Sequence, residues 1–407
     1  MADTAMTSAV GYLFWLVAAH LYNPTEIGLA VAVISASTVV MLVSWIGVGG
    51  ALIQSLPGES DETGWSATFW TGMATAVIFA VVGSGIALGV LPLFSPKLTL
   101  LRSIGYAAVF VVGTVALAAG ATLDWVYIAE RRAKDMFSRN AIASAVKVVM
   151  LGVLALTVGP GALRLLGAWC FASVFGLGLG AILLVRYRRV VRLPAFSVLR
   201  RTASRLRARV TGNQVIGIAT GVLPYLLPLL VTVRLSTSDN AYFYTAWMLA
   251  GLLRSIAPAV SMSLFAEGVH RPNEVGAMAR SAAKIIGVLL APILVAILAV
   301  GGILLSTLGQ AYADHATDLL RIIALASIPD AVTCVYASML RAQGKLATVA
   351  FLYVGIGCGT LIMCWLLLPL LGIEAVGWAL MAVQLCACIY VALHWLNQRS
   401  PNIIRLS

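Results

Sequence analysis

The stretch Ala241-Tyr-Phe-Tyr-Thr-Ala-Trp-Met-Leu-Ala-Gly-Leu-Leu-Arg-Ser-Ile-Ala-Pro-Ala-Val-Ser-Met-Ser-Leu-Phe265 decides how this chain is read. As a helix it is long enough to cross the ~30 Å hydrocarbon core of a bilayer. It carries one charge, Arg254, near its middle, and Pro258 four residues later. A charge at that depth is costly and faces a protein-lined or watery interior rather than lipid. A proline has no N–H, so the carbonyl four residues back, that of Arg254 itself, loses its helical donor. A buried cation beside a loosened backbone is a place to hold an anion.

The rest of the chain has the same character. Of 407 residues, 61% are hydrophobic and only 10% charged, against about 25% charged in soluble domains. Apolar runs separated by Gly, Pro and charged residues predict about twelve spans, at 5–22, 26–55, 65–93, 102–129, 138–159, 163–186, 211–234, 240–266, 281–308, 317–341, 347–370 and 374–396. Helices are expected because a spanning segment must satisfy its own backbone, and the alternation of a β-barrel is absent. The expected fold is therefore all-α and polytopic.

The formal net charge of +12 would suggest nucleic acid in a soluble protein. Here the basic residues lie in short loops and set orientation. With the N-terminus inside, the cytoplasmic loops hold Arg131, Arg132, Lys134 and Arg139, then nine arginines from Arg186 to Arg209, then Arg271, Arg280, Lys284, Arg341 and Lys345. The opposite loops hold Lys97, Arg102, Arg164, Arg234 and Arg321. This roughly fourfold bias predicts both termini in the cytoplasm.

The basic stretch 186–210 follows the sixth span. It divides the chain into a six-helix lobe at 1–185 and a second at 211–407 with a short tail. Its arginines are expected to lie on anionic membrane lipids, with no role for nucleic acid. The halves also match. Glu26 and Gln54 bracket the second span as Asp239 and Glu267 bracket the eighth, and Tyr-x4-Arg-Ala ends both the fourth (Tyr127, Arg132) and the tenth (Tyr336, Arg341). With six spans each, such repeats keep one orientation and are parallel.

Few ionisable groups lie mid-membrane. Asp124 and Lys147 flank the hairpin between the fourth and fifth spans, about equally far from a turn placed near Asp135. They read either as a structural ion pair or with Lys147 as a second anion-binding cation. Arg254 and Asp330 sit at similar depth in the second half. They read as a pair, or with Arg254 on a substrate phosphate and Asp330 as its resting counter-ion and nearest coupling site; an arginine fork suits phosphate. Pro329 before Asp330 is expected to interrupt the tenth helix, and Pro224 and Pro228 to bend the seventh, which also carries Asn213. Trp15 and Trp247 are candidates to stack on sugar rings, although aromatics near helix ends more often form an interfacial belt. The six cysteines lie in apolar segments without metal or disulfide spacing, and the four histidines are scattered. No phosphate-binding loop or catalytic constellation is present, so neither a cofactor, a metal nor an enzyme is expected.

Several segments then carry a likeness: Phe14-Trp-Leu-Val-Ala-Ala19, Ile27-Gly-Leu-Ala30 with Ile34-Ser-Ala36, Gly47 to Pro57, Ala241-Tyr-Phe-Tyr-Thr-Ala-Trp247, Leu264-Phe-Ala-Glu-Gly268, Tyr312-Ala313 and Leu340-Arg-Ala-Gln-Gly344. With them the sequence resembles the polysaccharide-flippase branch of the multidrug/oligosaccharidyl-lipid/polysaccharide exporter superfamily. The resemblance implies two six-helix lobes around a central cavity lined mainly by the first, second, seventh and eighth helices, with Arg254 facing it. It implies alternating-access movement of a polyprenyl-diphosphate-linked oligosaccharide from the inner to the outer leaflet of a bacterial cytoplasmic membrane, for cell-surface polysaccharide, alongside other glycan-assembly proteins. Three departures matter. The first helix is short for the family and lacks the embedded acid of many multidrug extrusion relatives, and the two extra C-terminal helices of the lipid II flippase branch are missing. A cation-coupled multidrug or small-solute antiporter, and a non-transporting scaffold of a glycan-assembly complex, are the alternatives.

Overall fold

The computed structural model of the chain describes residues 2–44, 48–59, 61–187, 194–207, 213–271 and 274–399. Among them every regular element is a helix. Eleven helices or joined helices are long and apolar enough to cross a membrane, and Ala9–Leu21 is a shorter apolar one. This is a multi-pass membrane protein, as its composition requires.

The chain falls into two compact units, Met1–Ala241 and Tyr242–Ser407. The first contains α1 (Ala2–Leu21), α2 (Pro24–Ser44), α3 (Val48–Ser55), α4 (Glu62–Phe94), α5 (Ile104–Ala129), α6 (Ala133–Thr157), α7 (Ala162–Tyr187), α8 (Phe196–Arg207) and α9 (Asn213–Arg234). The next helix, α10 (Thr237–Arg254), begins there and ends in the second unit. The second unit continues with α11 (Ile256–His270), α12 (Val275–Ser306), α13 (Gln310–Ala342), α14 (Leu346–Leu371) and α15 (Glu374–Arg399). The sequence groups α9 with the second half. In space α9 packs on α2, and Thr232 O in its last turn and Leu235 O just beyond it accept from Lys97 Nζ. Within the basic stretch, residues 188–193 and 208–210 lie outside the described residues. The intervening α8 packs on α3 and α4 with Thr202 inward and Arg200 and Arg201 outward.

Several hydroxyls inside the spans are satisfied within their own helix, which suits a lipid setting. Thr38, Thr71, Thr114 and Thr122 each donate to the carbonyl four residues back, at 2.6 to 2.9 Å. The repeated acids prove to be helix caps. Asn23 and Glu26 form a reciprocal capping box at the start of α2, Glu26 N to Asn23 Oδ1 at 3.0 Å and Asn23 N to Glu26 Oε2 at 3.3 Å. At the start of α10, Asp239 N donates to Ser236 Oγ at 2.9 Å, and Ser236 Oγ donates to Asp239 Oδ2 at 2.5 Å. The two capped starts meet within the first unit. Thr25 Oγ1 and Ser238 Oγ are 2.9 Å apart, and Asn240 Nδ2 donates to Gly28 O at 2.8 Å. A Cβ on Gly28 would lie 1.6 Å from Thr237 O, so only glycine permits this crossing.

The Tyr-x4-Arg-Ala repeat also has a structural meaning. In the first unit the Tyr127 hydroxyl donates to Gly180 O of α7 at 2.6 Å. In the second, the Tyr336 hydroxyl hydrogen-bonds with His394 Nδ1 of α15. Each tyrosine ties the fourth span of its half to the sixth.

Candidate functional site

In the second unit, α10 ends at Arg254 and α11 begins at Ile256. Ser255 sits at the break. Its N–H still reaches Gly251 O at 3.0 Å, and its hydroxyl donates to Leu252 O at 2.7 Å. Pro258, which cannot donate to Arg254 O, accounts for the interruption. The Arg254 guanidinium lies over the Trp247 ring, 4.3 Å from its centroid. Trp247 is two turns earlier on the same helix face and packs on Phe243, with ring centroids 5.7 Å apart. A cation over an indole face is stabilised without being neutralised, so the guanidinium N–H fork stays able to bind an anion.

Asp330 takes a different partner from the one expected. Gln384 Nε2 donates to Asp330 Oδ1 at 2.7 Å, and Gln384 Oε1 accepts from Thr333 Oγ1 at 3.0 Å. The Cys388 thiol donates to Pro329 O at 3.4 Å. Asp330 and Arg254 lie beyond ion-pair distance, although the Arg254 charge still acts on the Asp330 carboxylate. Three polar groups instead bind α13 to α15 in a buried network. Gln384, 5% exposed, was missed from sequence. Its signal was a lone amide inside an otherwise apolar span. The expected interruption at Pro329 is also corrected: α13 runs unbroken from Gln310 to Ala342. The Cys388 thiol, bonded to Pro329 O, adds a side-chain tie to α15 at that turn.

In the first unit Asp124 pairs with Arg139 at 3.1 Å, not with Lys147. Arg139 is 7% exposed and also donates to Gly120 O at 2.8 Å and Asn140 Oδ1 at 2.7 Å. The reason is the position of the turn. The fifth span was expected to start at 138, but α6 starts at Ala133. The turn therefore lies at 130–132, and Arg139 is the residue at the depth of Asp124. Counted from a turn near Asp135, Arg139 reads as a loop arginine. Lys147, in α6, lies with its Nζ 5.0 Å from the centroid of the Phe14 ring of α1. Trp15 is 7% exposed and meets Phe14 edge-on at 5.0 Å. Asn213 opens α9, and its side chain lies outside the described residues.

Among the described residues no carboxylate lies within ion-pair distance of Arg254 or Lys147. Each is instead placed over an aromatic ring. Neither unit brings three His, Cys, Asp or Glu side chains together among those residues.

The described residues form an all-helical polytopic fold with Arg254 and Lys147 each placed over an aromatic ring. Solved structures agree on the fold. A multidrug resistance MATE family transporter of the MOP superfamily, in an inward-facing conformation, superposes with TM-score 0.77 at 15% identity over 97% of this chain and 94% of that one. The lipid II flippase MurJ, in an inward closed conformation, superposes with TM-score 0.75 at 9% identity over 97% and 86%. A MOP superfamily transporter from Pyrococcus furiosus, described as having a binding pocket of reversed polarity, gives TM-score 0.56 at 13% identity over 98% and 94%. At these identities the likeness is one of fold. No family model matches the chain, and no curated protein matches it.

Proposed function

We propose that the protein is a flippase that moves a polyprenyl-diphosphate-linked oligosaccharide from the inner to the outer leaflet of a bacterial cytoplasmic membrane by alternating access. One observation carries this reading. Arg254 stands at a helix break in mid-span, held over Trp247, while the acid at its depth, Asp330, is engaged by Gln384. A diphosphate would find an arginine fork outside ion-pair distance of every described carboxylate, two parallel hydrogen bonds and a loosened backbone. Lys147 is the second cation of this kind. The basic segment with α8 rests on anionic lipids of the inner leaflet, both termini are cytoplasmic, and other glycan-assembly membrane proteins are its partners.

The fold shared with MATE multidrug transporters favours a second reading, a cation-coupled antiporter. That reading needs a carboxylate that can exchange a proton or sodium. Asp124 is paired with Arg139, which leaves Asp330, hydrogen-bonded to the neutral Gln384 amide, as the carboxylate this reading would use.

The test is reconstitution in liposomes with a labelled polyprenyl-diphosphate oligosaccharide in one leaflet. Wild type should move it to the other leaflet, and Arg254→Ala should lose movement while staying folded. Full activity of Arg254→Ala would sink the diphosphate reading. Dye efflux from the same vesicles, without glycolipid movement, would establish the antiporter.

A further inference from the structure

The second unit holds an apolar groove apart from the Arg254 and Asp330 clusters. Its floor is α13, through Ala331, Val335 and Met339. One wall is α12, through Gly287 and Leu290, and Val391 of α15 forms the other. The cavity measures about 380 Å³, within the range of small-ligand sites. Its α13 floor runs from Ile328 to Met339, ~16 Å at the helical rise and so about half the hydrocarbon thickness of a bilayer. That is the depth of one leaflet. At its lip Ile328 and Val332 are about half exposed, so the groove opens on an apolar face of spanning helices. The only hydroxyl lining it, that of Tyr336, is held by His394. Such a groove offers nothing to a polar ligand and suits a hydrocarbon chain.

The groove has a charged end. Its stripe on α12, Leu290, Gly287 and Ala283, continues one turn further to Arg280, with Lys284 beside it; both are exposed. Arg280 Nε donates to Gly276 O at 3.4 Å, which keeps the guanidinium at that end of the helix. The nearest acid on this element, Glu274, is paired with Arg271 at 3.7 Å. Because α12 and α13 are consecutive packed helices, the Met339 end of the floor lies toward this same end, where α13 closes with Arg341 and Lys345 follows. An apolar slot one leaflet deep with a cationic rim is complementary to a lipid bearing a phosphate.

We propose that this groove binds one hydrocarbon chain of an anionic glycerophospholipid, with the lipid phosphate against Arg280 and Lys284. The site is resident in the second unit and does not depend on what the protein transports.

Native mass spectrometry of the full chain in detergent, with added phosphatidylglycerol, phosphatidylcholine of the same chains, or a prenyl monophosphate, tests it. Phosphatidylglycerol should be retained at least tenfold better than phosphatidylcholine. Gly287→Phe should reduce that retention tenfold or more by filling the groove. The site tolerates the change because a Cβ at Gly287 meets nothing within 4 Å. Val288→Phe, on the neighbouring exposed position, should leave retention unchanged. Val332→Trp at the lip is the second filling variant, for use if Gly287→Phe does not fold. Arg280→Gln with Lys284→Gln should weaken phosphatidylglycerol roughly thirtyfold, the worth of two basic residues near a membrane surface. Undiminished retention in both filling variants overturns the site, and equal retention of the two phospholipids overturns the charged rim. Displacement of phosphatidylglycerol by an equal amount of prenyl monophosphate overturns the choice of a phospholipid.

Discussion

Removing Asp124 should damage the first unit through Arg139, not through Lys147. Arg139 is 7% exposed and spends its N–H groups on Asp124, Gly120 O and Asn140. Taking one partner from a buried pair costs about 3–5 kcal/mol when the remaining charge is stranded. Two circumstances reduce that here. Gly120 O and Asn140 Oδ1 remain as acceptors, and the Asp124 side chain is 29% exposed. Asp124→Leu should therefore cost about 2–3 kcal/mol. Arg139→Met alone should cost a similar amount. The double variant, which leaves two apolar side chains in an apolar setting, should lie within about 1 kcal/mol of wild type. The assay is equilibrium unfolding in mixed micelles as a double-mutant cycle. A parallel cycle of Asp124→Leu with Lys147→Met should show no coupling, since Lys147 lies against Phe14. Coupling of Asp124 to Lys147 of the size expected for Arg139, or additive behaviour of Asp124 and Arg139, would refute the argument from the position of the turn.

Gly28→Val should abolish folded protein in size-exclusion profiles, because a Cβ there would fall 1.6 Å from Thr237 O with backbone on both sides. Gln384→Leu strips the donor from Asp330 and should lower stability by about 1–3 kcal/mol in the same unfolding assay, whereas Gln384→Asn, one methylene shorter, should recover only part of it. Trp247→Leu removes the ring under Arg254. It should raise the glycolipid concentration needed for half-maximal movement several-fold, in keeping with about 0.5–2 kcal/mol for a cation on an aromatic face.

The helical, membrane-spanning nature of this chain was legible before any coordinates. Apolar length is a local property, and the backbone in lipid has only one way to satisfy each such run. The break after Arg254 was legible for the same reason, since Pro258 removes a donor at a known distance along one helix. The equivalence of Glu26 with Asp239 was visible as an offset, but its cause, two helix starts capped alike, was not.

What the sequence by itself determined is that the chain is a series of apolar helices long enough to cross a membrane. Only the tertiary structure decided the partners: Arg139 for Asp124, Gln384 for Asp330, Phe14 for Lys147, Trp247 for Arg254. Depth along a helix follows from counting residues at a fixed rise. Partnership depends on the azimuth of each side chain and on the exact turn from which counting begins, and a shift of five residues at the start of α6 was enough to exchange one cation for another.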